Sequence, residues 1–163
     1  VSKWIVNGIK VVYFTKGGAK MFNSNYSHSV DNKGRFIMPS KYRESLDGRC
    51  MVTKGMDNHC LYIYTLNEWA DFEARLLALP NSKPEIRALQ RYFLSEAELV
   101  EIDKQGRCLI SQKLREYAGI TSTIKLLGMG NKIELWSEEK LAEFEKEVTV
   151  DLAETAGNLD FVI

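Results

Sequence analysis

The sequence predicts an α+β fold in which one small β unit is built twice, with helices between the copies and after the second. Three observations carry this. The stretch Val30–Glu44 recurs as Ile102–Glu116 at a constant offset of 72 residues, from Asp31 to Asp103 and from Glu44 to Glu116. Each copy reads as strand, tight turn, strand and short helix. Between and after the copies lie longer stretches with apolar residues at helical spacing behind Ser or Thr caps.

Within the repeat, six pairs are identical: Asp31/Asp103, Gly34/Gly106, Arg35/Arg107, Lys41/Lys113, Arg43/Arg115 and Glu44/Glu116. Before the first turn, Asn25–Val30 alternates, with Tyr26 and Val30 as inward positions. Asp31-Asn32-Lys33-Gly34 has turn chemistry: the Asp carboxylate can accept amides two residues on, and Gly can take positive φ. Residues 35–38 return as a strand, which Pro39 ends. Ser40 is expected to cap a helix over 41–46. Strands follow at 50–54 and 61–64, joined through Gly55-Met56-Asp57-Asn58.

Thr65 and Glu68 form a predicted capping box ahead of a helix to about Leu79, with Trp69, Phe72 and Leu76 on one face. Ser82 and Glu85 predict a second box ahead of a helix to about Leu94, with Ile86, Leu89 and Phe93 inward and Pro84 in the first turn. The second unit then repeats the first: strand 97–102, turn 103–106, strand 107–110, helix 113–117, strands 123–127 and 133–136. Ser137 caps a last helix to about Val148, as Thr65 capped the earlier one. Gly128-Met129 answers Gly55-Met56 one residue out of register. The tail from Val150 is expected to fray. The expected organisation is therefore 1–20 as an extension, 21–66 as first unit, 67–95 as a two-helix insert, 96–138 as second unit, and 139–163 as terminal helix and tail.

Residues 1–20 are set apart by a coding argument. Lys16-Gly17-Gly18 can be encoded by a purine run resembling a bacterial ribosome-binding site, just ahead of Met21. The expectation is translation from Met21, with residues 1–20 as upstream extension; the alternative is a real N-terminal strand or arm.

Composition narrows the function. The chain has 163 residues, 45% hydrophobic and 27% charged, with zero formal net charge. That is ordinary for a globular protein and gives no global field for a polyanion. Local segregation does exist. From Glu134 onward carboxylates far outnumber Lys140 and Lys146, so the balancing bases lie upstream. Cys50, Cys60 and Cys108 are odd in number and widely spaced, which predicts buried thiols and no disulfide framework. No apolar run approaches a membrane span. His28 and His59 form no ligand-spaced pair, and no phosphate loop or nucleophile pattern is present, so neither a metal, a cofactor nor an enzyme is expected.

Turn architecture alone explains Asp31, Gly34, Asp103 and Gly106. It explains the bases less well. Lys33, Arg35, Lys41 and Arg43 in one copy, and Lys104, Arg107, Lys113 and Arg115 in the other, suit phosphate and base-edge contacts on a ribbon that can enter the major groove. Arg35 and Arg107 are expected to reach base edges, with Asn32 and Gln105 adding contacts. Lys33, Lys104, Lys41, Arg43, Lys113 and Arg115 are expected on phosphates. Asp31 and Asp103 should aim the arginines and hold the turns. The alternative is a protein-interaction or scaffold module without specific DNA binding.

The two D-x-x-G-R motifs, each followed by an apolar strand and a K-x-R-E helix start, resemble the MraZ family. Further likenesses are Met21-Phe22, Gly55-Met56, Trp69 and Glu134-Leu135-Trp136, and they extend from Met21 to about Val148. The second unit departs by having Ser111 where the first has Pro39, which predicts a less rigid strand end. The resemblance implies tandem AbrB-type swapped-hairpin units packed as a small pseudo-two-fold barrel. It also implies a nucleoid-associated cytoplasmic regulator that represses its own promoter and the division and cell-wall gene cluster. On that resemblance the protein binds tandem promoter repeats in double-stranded DNA as a ring homo-oligomer, away from membranes, and partners the 16S rRNA methyltransferase encoded nearby.

Overall fold

A computed structural model describes residues 2–6, 9–13, 21–57 and 59–159, the first two segments by their backbone alone. Strands β1 (Ser2–Val6) and β2 (Ile9–Tyr13) pair as an antiparallel hairpin, with Ser2 opposite Tyr13. The coding argument for residues 1–20 otherwise lies outside the described residues.

The first unit runs β3 (Asn25–Ser29), β4 (Arg35–Ile37), α1 (Ser40–Leu46), β5 (Arg49–Lys54) and β6 (Leu61–Tyr64). Two helices follow, α2 (Leu66–Leu77) and α3 (Pro84–Leu94). The second unit runs β7 (Glu98–Glu101), β8 (Arg107–Leu109), α4 (Gln112–Ala118), β9 (Thr123–Gly128) and β10 (Ile133–Ser137). Helices α5 (Glu138–Glu147) and α6 (Leu152–Asn158) end the described chain.

Strand order is β3-β9-β10-β6-β5-β7 in one antiparallel sheet, with β4-β8 as a separate ribbon. Exchanging each strand for its counterpart in the other unit reverses this order and leaves it unchanged. The pseudo-two-fold therefore falls between β10 and β6, where Leu135 faces Leu61. Each unit sends its first strand to the other: Tyr26 of β3 pairs Leu126 of β9, and Val100 of β7 pairs Cys50 of β5. β4 and β8 also pair across units, Phe36 opposite Cys108.

The central strands are buried on both faces, and alternation sorts their side chains. Leu61, Ile63, Ile133 and Leu135 join Phe36, Met38, Tyr42, Cys108, Ile110 and Leu114 in the core under the ribbon, α1 and α4. Tyr62, Tyr64 and Trp136 point the other way, to Trp69, Leu76, Phe93 and Leu141 of α2, α3 and α5. Cys50, Cys60 and Cys108 are free and buried, as expected.

The expected barrel is not closed by hydrogen bonds among the described residues. β4 and β8 are three residues long, Pro39 has no amide to extend β4, and both chains turn at once into α1 and α4. The sheet keeps β3 and β7 as its edges.

Three local expectations are corrected, and the Ser111 strand end is described with them. Ser40 is the first residue of α1, not its cap; Pro39 occupies the cap with φ −53° and ψ 138°. Ser82 does not cap α3. Lys83 holds that place, while Arg87 Nη1 donates to the carbonyls of Asn81 at 2.8 Å and Ser82 at 2.9 Å. The tail does not simply fray, because Asp151 accepts from the Glu154 amide and starts α6. Ser111 takes nearly the backbone of Pro39, φ −56° and ψ 153°, and is held by side-chain bonds instead of a ring. Its Oγ donates to Glu98 at 2.9 Å and accepts the Leu114 amide at 3.3 Å. The hydroxyl half of the Thr65 box forms as expected, with the Glu68 amide at 3.1 Å. The register slip at Gly128 falls where the repeat offset itself varies. β9 starts 74 residues after β5, from Arg49 to Thr123, whereas β10 starts 72 residues after β6, from Leu61 to Ile133.

Candidate nucleic-acid interface

Each turn is organised by one carboxylate. Asp31 Oδ1 accepts the amides of Lys33 and Arg35, both at 2.9 Å, and Oδ2 accepts Arg35 Nε at 2.8 Å. Asp103 does the same with the amides of Gln105 and Arg107 at 2.9 Å and Arg107 Nε at 2.6 Å. Backbone bonds close both loops: Gly34 N to Asp31 O at 3.0 Å, and Gly106 N to Asp103 O at 2.9 Å. The glycines take φ +84° and +80°, where a side chain is strained. The Arg35 amide, with further help from its guanidinium and the Lys33 amide, holds the Asp31 carboxyl down at about 2. The Arg107 amide leads the same downward shift at Asp103. Both carboxylates are thereby favoured in the ionised form that accepts the arginine Nε.

The ribbon sets the spacing. Arg35 pairs Leu109 and Arg107 pairs Ile37, while Phe36 and Cys108 point into the core. The outward face therefore carries two arginines and two exposed apolar side chains in a diagonal pattern. Ile37 is 41% exposed and Leu109 53%. The two arginines sit two residues apart along the ribbon, roughly 7 Å at about 3.4 Å per residue. Ile37 and Leu109 were missed in the sequence, although the alternation Arg-Phe-Ile and Arg-Cys-Leu was the available signal.

The turn tips bear Asn32, Lys33, Lys104 and Gln105, all exposed. The helix bases are placed differently. Lys41 Nζ donates to Asn23 Oδ1 at 2.7 Å, and Lys113 Nζ pairs with Glu96 at 2.6 Å, each ahead of the unit's first strand. Arg43 and Arg115 are half-buried, and each lies against the glycine of the opposite unit's turn. His59 sits in a turn with φ +66° beside buried Cys60. Burial pushes the Cys60 and Cys108 thiols up to about 12, out of reactive range. Among the described residues no cluster of metal-binding side chains occurs, and no helix is long and apolar enough to cross a membrane.

Comparison with known proteins follows the same duplication. The model of the MraZ protein, described as antitoxin-like, matches twice, over residues 21–92 and 93–159. The transcriptional regulator MraZ of Acetivibrio thermocellus is 48% identical over 120 residues, covering 74% of this chain and 83% of that protein. The transcriptional regulator MraZ of Caldanaerobacter subterraneus subsp. tengcongensis is 43% identical over 140 residues, 86% and 97% of the two chains. That of Clostridium botulinum is 46% identical over 133 residues, 81% and 93%. Two successive matches and relatives at this identity leave one assignment: the chain belongs to the MraZ family.

Proposed function

We propose that the protein is a sequence-specific DNA-binding transcriptional regulator that reads the major groove with the β4–β8 ribbon and its two turns. The observation that carries this reading is the pair of Asp–Arg clamps at the ends of one ribbon. Each carboxylate takes the Nε side of its arginine, so the Nη nitrogens are presented for guanine O6 and N7. The arginines stand about two base-pair steps apart at ~3.4 Å per step. Between them, Ile37 and Leu109 offer apolar contact to thymine methyl groups. Asn32 and Gln105 add base-edge contacts at the tips, and Lys33 and Lys104 take flanking phosphates. Lys41 and Lys113 contribute from the helices by exchanging their present partners for phosphate.

The exchange of first strands between units supports a swapped-hairpin architecture of the AbrB type. In this reading a ring homo-oligomer faces tandem promoter repeats, each bound subunit raising the effective concentration of the next. The protein works at the nucleoid in the cytoplasm, represses its own promoter and the division and cell-wall cluster, and takes the neighbouring 16S rRNA methyltransferase as a partner. The relatives' printed names support regulation of transcription. No catalytic role is assigned.

The test is a mobility shift of DNA from the chain's own upstream region. The intact protein is expected to retard it, and Arg35→Ala to abolish the shift with an unchanged circular dichroism spectrum. Normal retardation by Arg35→Ala overturns the reading. No retardation by the intact protein, with a protein retained from solution by the ring, favours the scaffold alternative.

A further inference from the structure

Each turn lies against a helix of the other unit. The Met38 amide donates to Gly106 O at 2.8 Å, and the Ile110 amide to Gly34 O at 3.0 Å. Each ribbon strand thus ends at the opposite turn and starts its helix there, α1 beside the second turn and α4 beside the first. One turn into each helix comes the repeated arginine. A Cβ placed on Gly34 would lie 2.5 Å from Arg115 Nε, and one placed on Gly106 would lie 2.5 Å from Arg43 Nη1. Both glycines are buried although their neighbours at the tips are exposed. The arginines are what cover them. Arg115 is fixed further by Nε donating to Ile110 O at 3.1 Å, whereas Arg43 Nε is buried with no hydrogen-bond partner.

We infer that Arg43 and Arg115 are positioning residues that brace the opposite unit's turn: Arg115 seats the Gly34 turn and so aims Arg35, while Arg43 seats the Gly106 turn and aims Arg107. This rests on the proposed DNA reading for its consequence, but the brace itself is a property of the free protein. Two constraints then act on each glycine. Positive φ excludes a side chain, and the guanidinium needs the space that a Cβ would occupy. The duplication is thereby made functional as a unit, since neither half carries a complete reading tip.

Amide hydrogen exchange on the free protein tests the brace without DNA. Arg43→Met is expected to speed exchange several-fold at Gln105 and Arg107, leaving Lys33 and Arg35 unchanged, and Arg115→Met to do the reverse. Faster exchange in the arginine's own unit, equal change in both turns, or no change overturns the inference. If the Met variants do not fold, Arg43→Lys and Arg115→Lys serve in the same measurement, because a point charge keeps the solubility but loses the planar fork against the glycine.

A second arm uses duplex DNA from the upstream region. Arg43→Met and Arg107→Ala are expected to be non-additive, whereas Arg43→Met and Arg35→Ala add. The log–log salt slope should stay constant in Arg43→Met. A fall of about 0.9 would mark a lost phosphate contact instead and overturn the positioning role. DNA binding absent from the intact protein, with the exchange pattern as expected, rejects the DNA reading and keeps the brace.

Discussion

The two turns make the same backbone with different side chains. In both, one aspartate gathers two amides and an arginine Nε at nearly equal distances, and a glycine at φ near +80° closes the loop. Yet the tips read Asn32-Lys33 in one and Lys104-Gln105 in the other. The strand ends differ too, a proline ring against a serine held by Glu98 and Leu114. Beneath the tips, Phe36 answers Cys108. Geometry has been kept where the arginine must be aimed, while contact chemistry has diverged. On the proposed DNA reading, the two tips would meet unequal neighbours along a site.

The sharpest way to break this comparison is in the core. Phe36→Ala removes a large side chain that is 2% exposed and should cost about 3–5 kcal/mol of stability. Cys108→Ala, its partner across the ribbon, removes only a sulfur and should cost much less. Chemical denaturation of the two variants checks the difference, and equal losses would mean that the units do not share one ribbon core.

Next in size is DNA affinity. Arg35→Ala and Arg107→Ala should each lose about 1–3 kcal/mol per site, multiplied in a ring on tandem repeats. Fluorescence anisotropy with single and tandem sites separates the two effects. A smaller effect is expected at the unequal strand ends. Ser111→Ala removes the cap of α4 and should cost about 0.5–2 kcal/mol, while Ser40→Ala, whose residue caps nothing, should change little. Thermal unfolding compares them.

The smallest effect lies in pH. Asp31 has a folded pKa of about 2 against an ordinary 3.8, so folding favours its charged form. Its contribution to stability is complete above the unfolded value and is lost as pH falls through about 2. Asp103 shifts in the same direction and behaves likewise. Carboxyl NMR titration should show Asp31 with a midpoint near 2 and Asp103 with a midpoint below its ordinary value. A midpoint at the ordinary value for either would mean that its turn is open in solution.

Much of the architecture was legible because local rules governed it. Asp31-Asn32-Lys33-Gly34 must turn, Trp69, Phe72 and Leu76 must share a helix face, and a repeat offset must produce a pseudo-symmetric pair. What local rules could not reveal was pairing. Nothing in Asn25–Ser29 shows that it pairs with Thr123–Gly128 instead of the strands of its own unit. Ser82 looked like a cap until Arg87 took the loop carbonyls. Apart from Arg35 and Arg107, the lysines and arginines of the repeat all looked alike as phosphate contacts. Burial then set Arg43 and Arg115 apart from Lys33 and Lys104.

By itself the sequence determined the turns, the helix faces, the duplication and the two arginines that follow glycine. These follow from φ preferences, side-chain period and hydrogen bonds that span a few residues. Tertiary structure alone decided that the units exchange strands, that Ile37 and Leu109 share a face with Arg35 and Arg107, and that each turn rests on the other unit's helix. Those contacts join residues from 46 positions apart, Val52 and Glu98, to 102, Asn25 and Leu127, where no local energy term acts, and only the joint burial of both units' apolar faces selects them.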